Sequence, residues 1–218
     1  MLAAELGPRY GVTVDVVAAD LSTPEGLAAT RAALDTSPVA TAVLNAGFGS
    51  RGRIGELDRD REVQMVRLNV EAVVDLASHV VSPMRAAGAG SIVIVSSVAA
   101  WQPLAYMATY AASKAFELSF AEALFEELRG SGVRVVAACP GPVRTEFSTA
   151  AGSPGALSRI PHETAEGVVA ATWRALERGA PHVGTGRFAR LMIGCSRILP
   201  RRFVVRAAAC VQARSTRR

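Results

Sequence analysis

The sequence predicts an α/β protein built on a doubly wound parallel sheet, and two patterns predict it. Short apolar runs rich in β-branched residues alternate with longer segments of helical period: strands over 12–19, 41–45, 91–95 and 133–139, helices over 24–34, 58–78, 108–129 and 162–178. That alternation argues for parallel strands joined by helical crossovers. The runs also end in small or polar residues: Asp20-Leu21, Asn45-Ala46-Gly47, Ser96-Ser97 and Pro140-Gly141. In open α/β sheets the chemistry gathers at the carboxyl ends of the strands.

Each element has its own signal. Met1 to Leu6 reads as the end of a helix, after which Val12 to Ala19 reads as a strand. Asp20-Leu-Ser-Thr-Pro24 is a helix entry, with Ser22 or Thr23 as cap and Pro24 in the first turn. Thr41 to Leu44 forms an apolar strand. Asn69 lies inside the next helix, where its poor propensity implies a reason for its presence. Ser91-Ile-Val-Ile-Val-Ser96-Ser97, preceded by Gly88 and Gly90, reads as a buried strand ending in two hydroxyls. Val133 to Cys139 is a further strand, ending at Pro140. Ser148 to Ile160 is small, polar and Gly/Pro-bearing, the composition of a loop over an active site that can serve as a mobile lid. A chain of 218 residues fits one domain, here residues 1–199, followed by a basic amphipathic segment over 200–218.

The chain holds a single lysine, against 23 arginines, and it stands four residues after a tyrosine: Tyr110-Ala-Ala-Ser-Lys114. Arginine stays charged and planar, whereas lysine is a compact point charge with rotatable donors. On a helix, positions i and i+4 share a face. An ammonium about 4 Å from a phenol is worth roughly 4 kcal/mol at an effective dielectric of about 20. That equals a depression of up to about three units from the usual tyrosine value near 10. Tyr110 is thereby a candidate acid/base, and Ser97, at a strand end, a candidate substrate-binding hydroxyl.

Taken together, these motifs resemble the short-chain dehydrogenase/reductase family. The likeness covers nearly the whole chain: Asp20-Leu21 after a strand, Asn45-Ala46-Gly47, the helical Asn69, Ser97, Tyr110-x-x-x-Lys114 and Pro140-Gly141-x-Val143-x-Thr145. The resemblance implies a Rossmann-like sheet and a catalytic tetrad of Asn69, Ser97, Tyr110 and Lys114. It implies NAD or NADP as cofactor, a carbonyl or alcohol substrate, and hydride transfer with Tyr110 as general acid/base. Lys114 would lower the phenol pKa and hold the nicotinamide ribose, and Asn69 would hold a water that relays protons. Asp20 and Leu21 would meet the adenine, and Asn45, Ala46 and Gly47 the adenosine side. Pro140, Gly141, Val143 and Thr145 would meet the nicotinamide end. No metal is required, because the tyrosine supplies the electrophile.

The family pattern begins with a strand, a Gly-rich turn, a helix and a second strand, and the given chain starts after them. Its sheet is therefore expected to be incomplete at the N-terminus. Gly47-Phe-Gly49-Ser-Arg-Gly52 matches a bare G-x-G-x-x-G, but helical periodicity resumes only near Asp58, so a strand-to-loop turn is the better reading. Three readings stay open: an oxidoreductase whose recorded start is wrong or lost, a short non-catalytic paralogue acting as an interaction protein, and an enzyme with a cofactor site reorganised around 47–52. The choice between NAD and NADP is not encoded in the segments present.

Charge is uneven. Residues 187–218 hold nine arginines and no acid, while the remainder carries 15 cationic and 19 acidic residues. After Pro200, Phe203, Val204, Ala207, Ala208 and Val211 share one helical face, with Arg202, Arg206 and Arg217 opposite. Such a helix suits an anionic membrane surface, or packing on the domain or a second subunit in a homo-oligomer. The tail matches no nucleic-acid reader module. Cys139, Cys195 and Cys210 lack metal or redox spacing, as expected of reduced thiols in a cytoplasmic protein. His79, His162 and His182 pair in sequence with no nucleophile. The make-up of 148–160 and of the tail points to a hydrophobic or lipid-like substrate.

Overall fold

The computed structural model describes residues 2–143, Phe147 and 162–216, with the backbone alone for Leu2, Phe188, Arg197 and 211–216. In chain order the elements are α1 (Leu2–Tyr10), α2 (Pro24–Leu34), β1 (Thr41–Leu44), α3 (Arg59–Val66), a π turn (Arg67–Glu71), α4 (Ala72–Ala87), β2 (Gly90–Val95), a 3-10 turn (Val98–Trp101) and α5 (Ala108–Glu127). Then come β3 (Val133–Pro140), α6 (Ala165–Glu177), β4 (His182–Thr185), α7 (Gly186–Ile198) and α8 (Arg201–Thr216). The four strands form one parallel sheet in the order β1-β2-β3-β4.

Helices cover both faces of the sheet, as the strand–helix alternation implies. On one face, Val73, Ala77, Val80 and Met84 of α4 and Leu118, Ala121 and Leu124 of α5 pack on Ile92, Ile94, Val135 and Ala137. On the other, Ala175 and Leu176 of α6 meet Val93 and Val136. Because side chains alternate across a strand, β2 and β3 bury both faces, and Ile92–Val95 and Val135–Cys139 read as unbroken apolar runs. Helix α2 packs on α4 through Leu27, Ala72 and Leu76, and Arg31 pairs with Asp75 at 2.5 Å.

The caps follow the sequence closely. Thr23 caps α2, accepting from Gly26 N–H, with Pro24 at the first helical position. Asp58 caps α3, accepting from the N–H groups of Asp60 and Arg61. Gly88 ends α4 in the left-handed conformation, φ 63°, which a residue without Cβ adopts freely.

Three expectations are corrected. Val12–Ala19 is not a strand: it is exposed chain, with Val16 73% accessible. A strand needs a neighbour for its backbone groups, and among the described residues none lies beside it. The helix expected to end at Ser78 runs to Ala87 and is broken by the π turn. Finally, β4 and α7 were not anticipated. The segment His182-Val-Gly-Thr185 has no apolar alternation, and its strand character comes from its ladder with β3.

β1 is the edge of the described sheet. It pairs with β2 alone among the described strands, and its Val43 is 54% exposed on the face opposite α4. Burial therefore differs sharply along one sheet. Ile94→Ala, at a fully buried position, should cost about 2–5 kcal/mol in a urea unfolding experiment. Val43→Ala should cost less than about 1 kcal/mol, the span of strand propensity. Equal costs would contradict this assignment of the core.

Candidate active site

Parallel pairing brings the strand ends to one edge. Leu44 lies beside Ile94, Val95 beside Ala138, and Pro140 beside Thr185. Asn45-Ala46-Gly47, Ser96-Ser97 and Pro140-Gly141 therefore emerge together. Helix α5 lies against this edge. Its buried stripe starts polar, with Tyr110, Ser113, Lys114 and Glu117, and continues apolar, with Leu118, Ala121 and Leu124. One helical face thus supplies the site with its first half and the core with its second.

The π turn points Asn69 inward. A π turn carries one extra residue, seen in the bond from Ala72 N–H to the Arg67 carbonyl. The Asn69 side chain is fully buried. Its Nδ2 donates to the Phe48 carbonyl and to Ser113 Oγ, both at 3.0 Å, and its Oδ1 accepts from Phe48 N–H at 3.2 Å. Ser113 Oγ in turn donates to the Tyr110 carbonyl at 2.9 Å. One amide thus joins the loop after β1 to the helix that carries Tyr110 and Lys114. The loop must pass close by. A Cβ on Gly47 would lie 3.0 Å from Asn69 Oδ1 and 3.4 Å from Lys114 Nζ, and one on Gly49 would lie 3.0 Å from the Phe147 ring and 3.1 Å from that of Tyr110. These glycines serve packing against side chains. No helix starts at Gly52, and α3 begins only at Arg59, in keeping with a strand-to-loop turn at 47–52.

Lys114 Nζ donates to the Val95 carbonyl and to Glu117 Oε1, each at 2.9 Å, and sits 5.9 Å from the centre of the Tyr110 ring. Ser96 Oγ donates to the Lys114 carbonyl at 2.7 Å, pinning the helix to the end of β2. Ser97 caps the 3-10 turn, accepting from Ala99 N–H, and its hydroxyl favours the ionised form of the Tyr110 phenol.

The electrostatics of the phenol differ from the expectation. Burial pushes Tyr110 up to about 12, the Ser97 hydrogen bond works against this, and the negative charge of Glu117 adds to it. The depression anticipated from Lys114 is not realised: burial dominates, and the Glu117 carboxylate that pairs with the ammonium adds to the rise. Burial likewise raises Glu117 to about 7, opposed by Lys114. Glu117 was missed in the sequence, although an acid three residues after Lys114, amid the apolar face of a helix, was a readable signal. Ser113 was missed too, its role as a bridge to Asn69 being invisible without the π turn.

The remaining predicted residues spread along the same edge. Asn45 and Ala46 are exposed at the end of β1, and Pro140 and Gly141 are half-buried at the end of β3. Val143 forms a parallel bridge with Glu163. Asp20 is exposed, and hydrogen bonds from the Ser22 hydroxyl and N–H hold its carboxyl below the usual range. Leu21 is half-buried against the Leu27–Leu76 cluster. Thr145 and the expected lid at 148–160 lie outside the described residues.

At the N-terminal end of α5, by Ala108, opens a cleft of about 370 Å³ lined also by Arg53, Ile54, Leu57, Glu62, Tyr106 and, from α8, Ala209. Tyr106 has φ 66°, the left-handed region that a bulky residue occupies at some cost, and its carbonyl accepts from Gly52 N–H. The tail is therefore a helix that packs on the domain. Its covered face is Val204, Val205, Ala208 and Ala209, whereas Phe203 and Ala207, expected on that face, are exposed. No helix among the described residues is long and apolar enough to cross a membrane.

Removing the Asn69 amide leaves Phe48 and Ser113 without their partners in a buried site. Asn69→Ala should lower unfolding free energy by about 1–3 kcal/mol, the cost of leaving a buried polar group unpaired. Hydrogen exchange should also speed up at the amides of 47–49. An unchanged exchange pattern would show that this loop is held by something else.

The family model for short chain dehydrogenases matches residues 1–154. An uncharacterized oxidoreductase of Mycobacterium tuberculosis is 38% identical over 165 residues, covering 75% of this chain and 64% of that protein. The chain thus spans less than two thirds of the length of this relative and of similar ones from Bacillus subtilis and Myxococcus xanthus. Among solved structures, a short-chain dehydrogenase from Sphingobium yanoikuyae in complex with NADPH superposes with a TM-score of 0.77 at 30% identity, covering 84% of this chain and 71% of that one. A bulky-bulky ketone specific alcohol dehydrogenase from Comamonas testosteroni does so with 0.73 at 27% identity, covering 91% and 79%. With the sheet edge, the tyrosine–lysine helix and these likenesses in agreement, the chain belongs to the short-chain dehydrogenase family.

Proposed function

We propose that the protein is an oxidoreductase that transfers a hydride between NAD or NADP and a carbonyl or alcohol, with Tyr110 as general acid/base. The observation that carries this reading is the convergence at the end of β2: Ser96 pins α5 there, the Ser97 hydroxyl lowers the pKa of the Tyr110 phenol, and Lys114 stands one helical turn further along the same buried face.

The residues present fit the nicotinamide half of such a cofactor. Gly47 leaves open the space that a Cβ would fill beside Asn69 and Lys114. Lys114 has three N–H groups, two committed to Val95 and Glu117, so one remains for a ribose hydroxyl. Asn45 and Ala46 would line the adenosine side, Asp20 and Leu21 the adenine, and Pro140, Gly141, Val143 and Thr145 the nicotinamide end. When bound, the cofactor supplies or accepts the hydride at the substrate carbon.

The chain's own part is proton transfer and positioning. A phenol held near 12 is protonated at neutral pH, so Tyr110 is set to donate its proton to a carbonyl oxygen in reduction. In the reverse direction it takes the proton of the alcohol, a step that rising pH favours. Ser97 hydrogen-bonds the same oxygen and fixes its approach. Both Asn69 N–H groups are committed, so Oδ1 is the atom that would hold a relay water. The apolar lining of the cleft at Ile54, Leu57 and Ala209 supports a hydrophobic carbonyl or alcohol as substrate. That the Comamonas testosteroni neighbour is named for bulky ketones is in keeping with this.

The same reading includes a cytoplasmic, homo-oligomeric enzyme whose tail can touch an anionic membrane. Its support is three unbridged cysteines and a run of exposed apolar residues, Leu191, Ile198, Leu199 and Phe203, among arginines.

The test is oxidation of NADH and NADPH against a panel of hydrophobic ketones. Tyr110→Phe should remove turnover while leaving the fold intact, since it deletes the transferable proton and little volume. Residual activity above a few per cent would remove Tyr110 from the acid/base role. Lys114→Arg should cost at least about tenfold, roughly 1.4 kcal/mol of transition-state binding, because a rigid fork does not reproduce the contacts of an ammonium. Equal activity would show that charge alone matters at this position.

A further inference from the structure

The Lys114–Glu117 pair is almost wholly enclosed, with side-chain exposures of 6% and 2%. Lysine and glutamate are rarely buried to this degree unless they serve each other. The pair lies one turn along α5 from Tyr110, so it shares its electrostatic environment with the proton donor. Glu117 Oε1 takes one Lys114 N–H and the Val95 carbonyl takes another, which fixes the ammonium at the end of β2. Glu117 Oε2 is buried without a hydrogen-bond partner among the described residues. A carboxylate with one oxygen unpaired in a closed site is poorly stabilised as an anion, so its proton is within reach near neutrality.

We propose that Glu117 is a positioning residue for Lys114: it seats the ammonium against Val95 and sets how much of its positive charge reaches the Tyr110 phenol. With Glu117 ionised, the pair is neutral overall, and the phenol keeps its proton. With Glu117 protonated, the charge of Lys114 is no longer offset, and the phenolate becomes easier to form. The consequence for proton transfer rests on the acid/base reading of Tyr110; the seating of Lys114 does not. Glu117 stands near 7, so this exchange falls within the physiological range.

Other ionisable groups around the pair have defined places. On α5 itself, Tyr110 stands near 12. On β3, Cys139 is raised to about 12, mainly by burial, with smaller contributions from Glu122 and Glu117, and stays a neutral thiol. From β4, His182 pairs with Glu122 at 2.6 Å.

The lone lysine makes the test direct. Protein labelled with 15N-lysine gives one Nζ signal, that of Lys114, in the full chain and without any cofactor. Between about pH 5 and 9, the range in which a raised carboxyl and a histidine titrate, its shift should follow one step with a midpoint near 7. Glu117→Gln keeps the volume and an acceptor oxygen but not the charge, and should flatten the step. A wild-type signal with no step in this range would overturn the proposal. So would a step that survives in Glu117→Gln, which would belong to another group. The second readout is the pH profile of alcohol oxidation. Glu117→Gln should move its rising limb to lower pH, giving at least about a tenfold faster rate at a fixed pH on that limb. Glu117→Asp, which restores the charge, should move it back. A limb left in place would overturn the electrostatic part. Should Glu117→Gln not fold, the wild-type step and the Glu117→Asp profile still decide the matter. An intact lysine step in a protein without turnover would count against the hydride-transfer reading and uphold the seating of Lys114.

Discussion

The Asn69 amide is the interaction on which the site depends. Three hydrogen bonds from one side chain hold the loop after β1 to helix α5, so the floor of the site and its proton donor are placed relative to each other. The amide can do this because a π turn adds a residue to a long helix and turns Asn69 toward the sheet edge. Gly47 and Gly49 then let the loop come within van der Waals reach of Asn69, Lys114 and Tyr110. A side chain at either glycine would push apart what the amide joins.

Helix α5 carries a second division of labour. Its first two turns place Tyr110, Ser113, Lys114 and Glu117 at the strand ends, and its later turns bury Leu118, Ala121 and Leu124 in the core. The apolar half supplies the rigidity that the polar half needs. A buried ion pair is weak evidence for stability, because desolvating two charges offsets their attraction. The Lys114–Glu117 pair is better understood through what it does to its neighbour: burial holds the phenol of Tyr110 near 12, and the negative charge of Glu117 adds to that rise.

Much of this was readable in the sequence, for physical reasons that differ by element. β2 and β3 are buried on both faces, so their apolar runs stand out, and α2 announces itself through Thr23 and Pro24. Asn69, Ser97, Tyr110 and Lys114 were found because their spacing is local or their placement at strand ends is general, and the structure brings them to one edge. Val12–Ala19 misled because its composition is that of a strand, while strand structure needs a partner. β4 was missed for the opposite reason: His182–Thr185 has the partner without the composition. The tail face was misjudged by about one residue in helical phase, since Val204, Val205, Ala208 and Ala209 are covered and Phe203 is not. Glu117 was legible as an acid one turn after Lys114 on the apolar face of α5, but attention to the tyrosine–lysine spacing passed over it.

The most direct measurement is isotopic. The protein is incubated with NADPH or NADH deuterated at the nicotinamide C4 position and a hydrophobic ketone, and the alcohol formed is weighed by mass spectrometry. Hydride transfer at this site predicts one deuterium on the carbinol carbon, while the hydroxyl proton, delivered through Tyr110, comes from solvent. Alcohol without deuterium at that carbon, or cofactor oxidised with no alcohol formed, would contradict it.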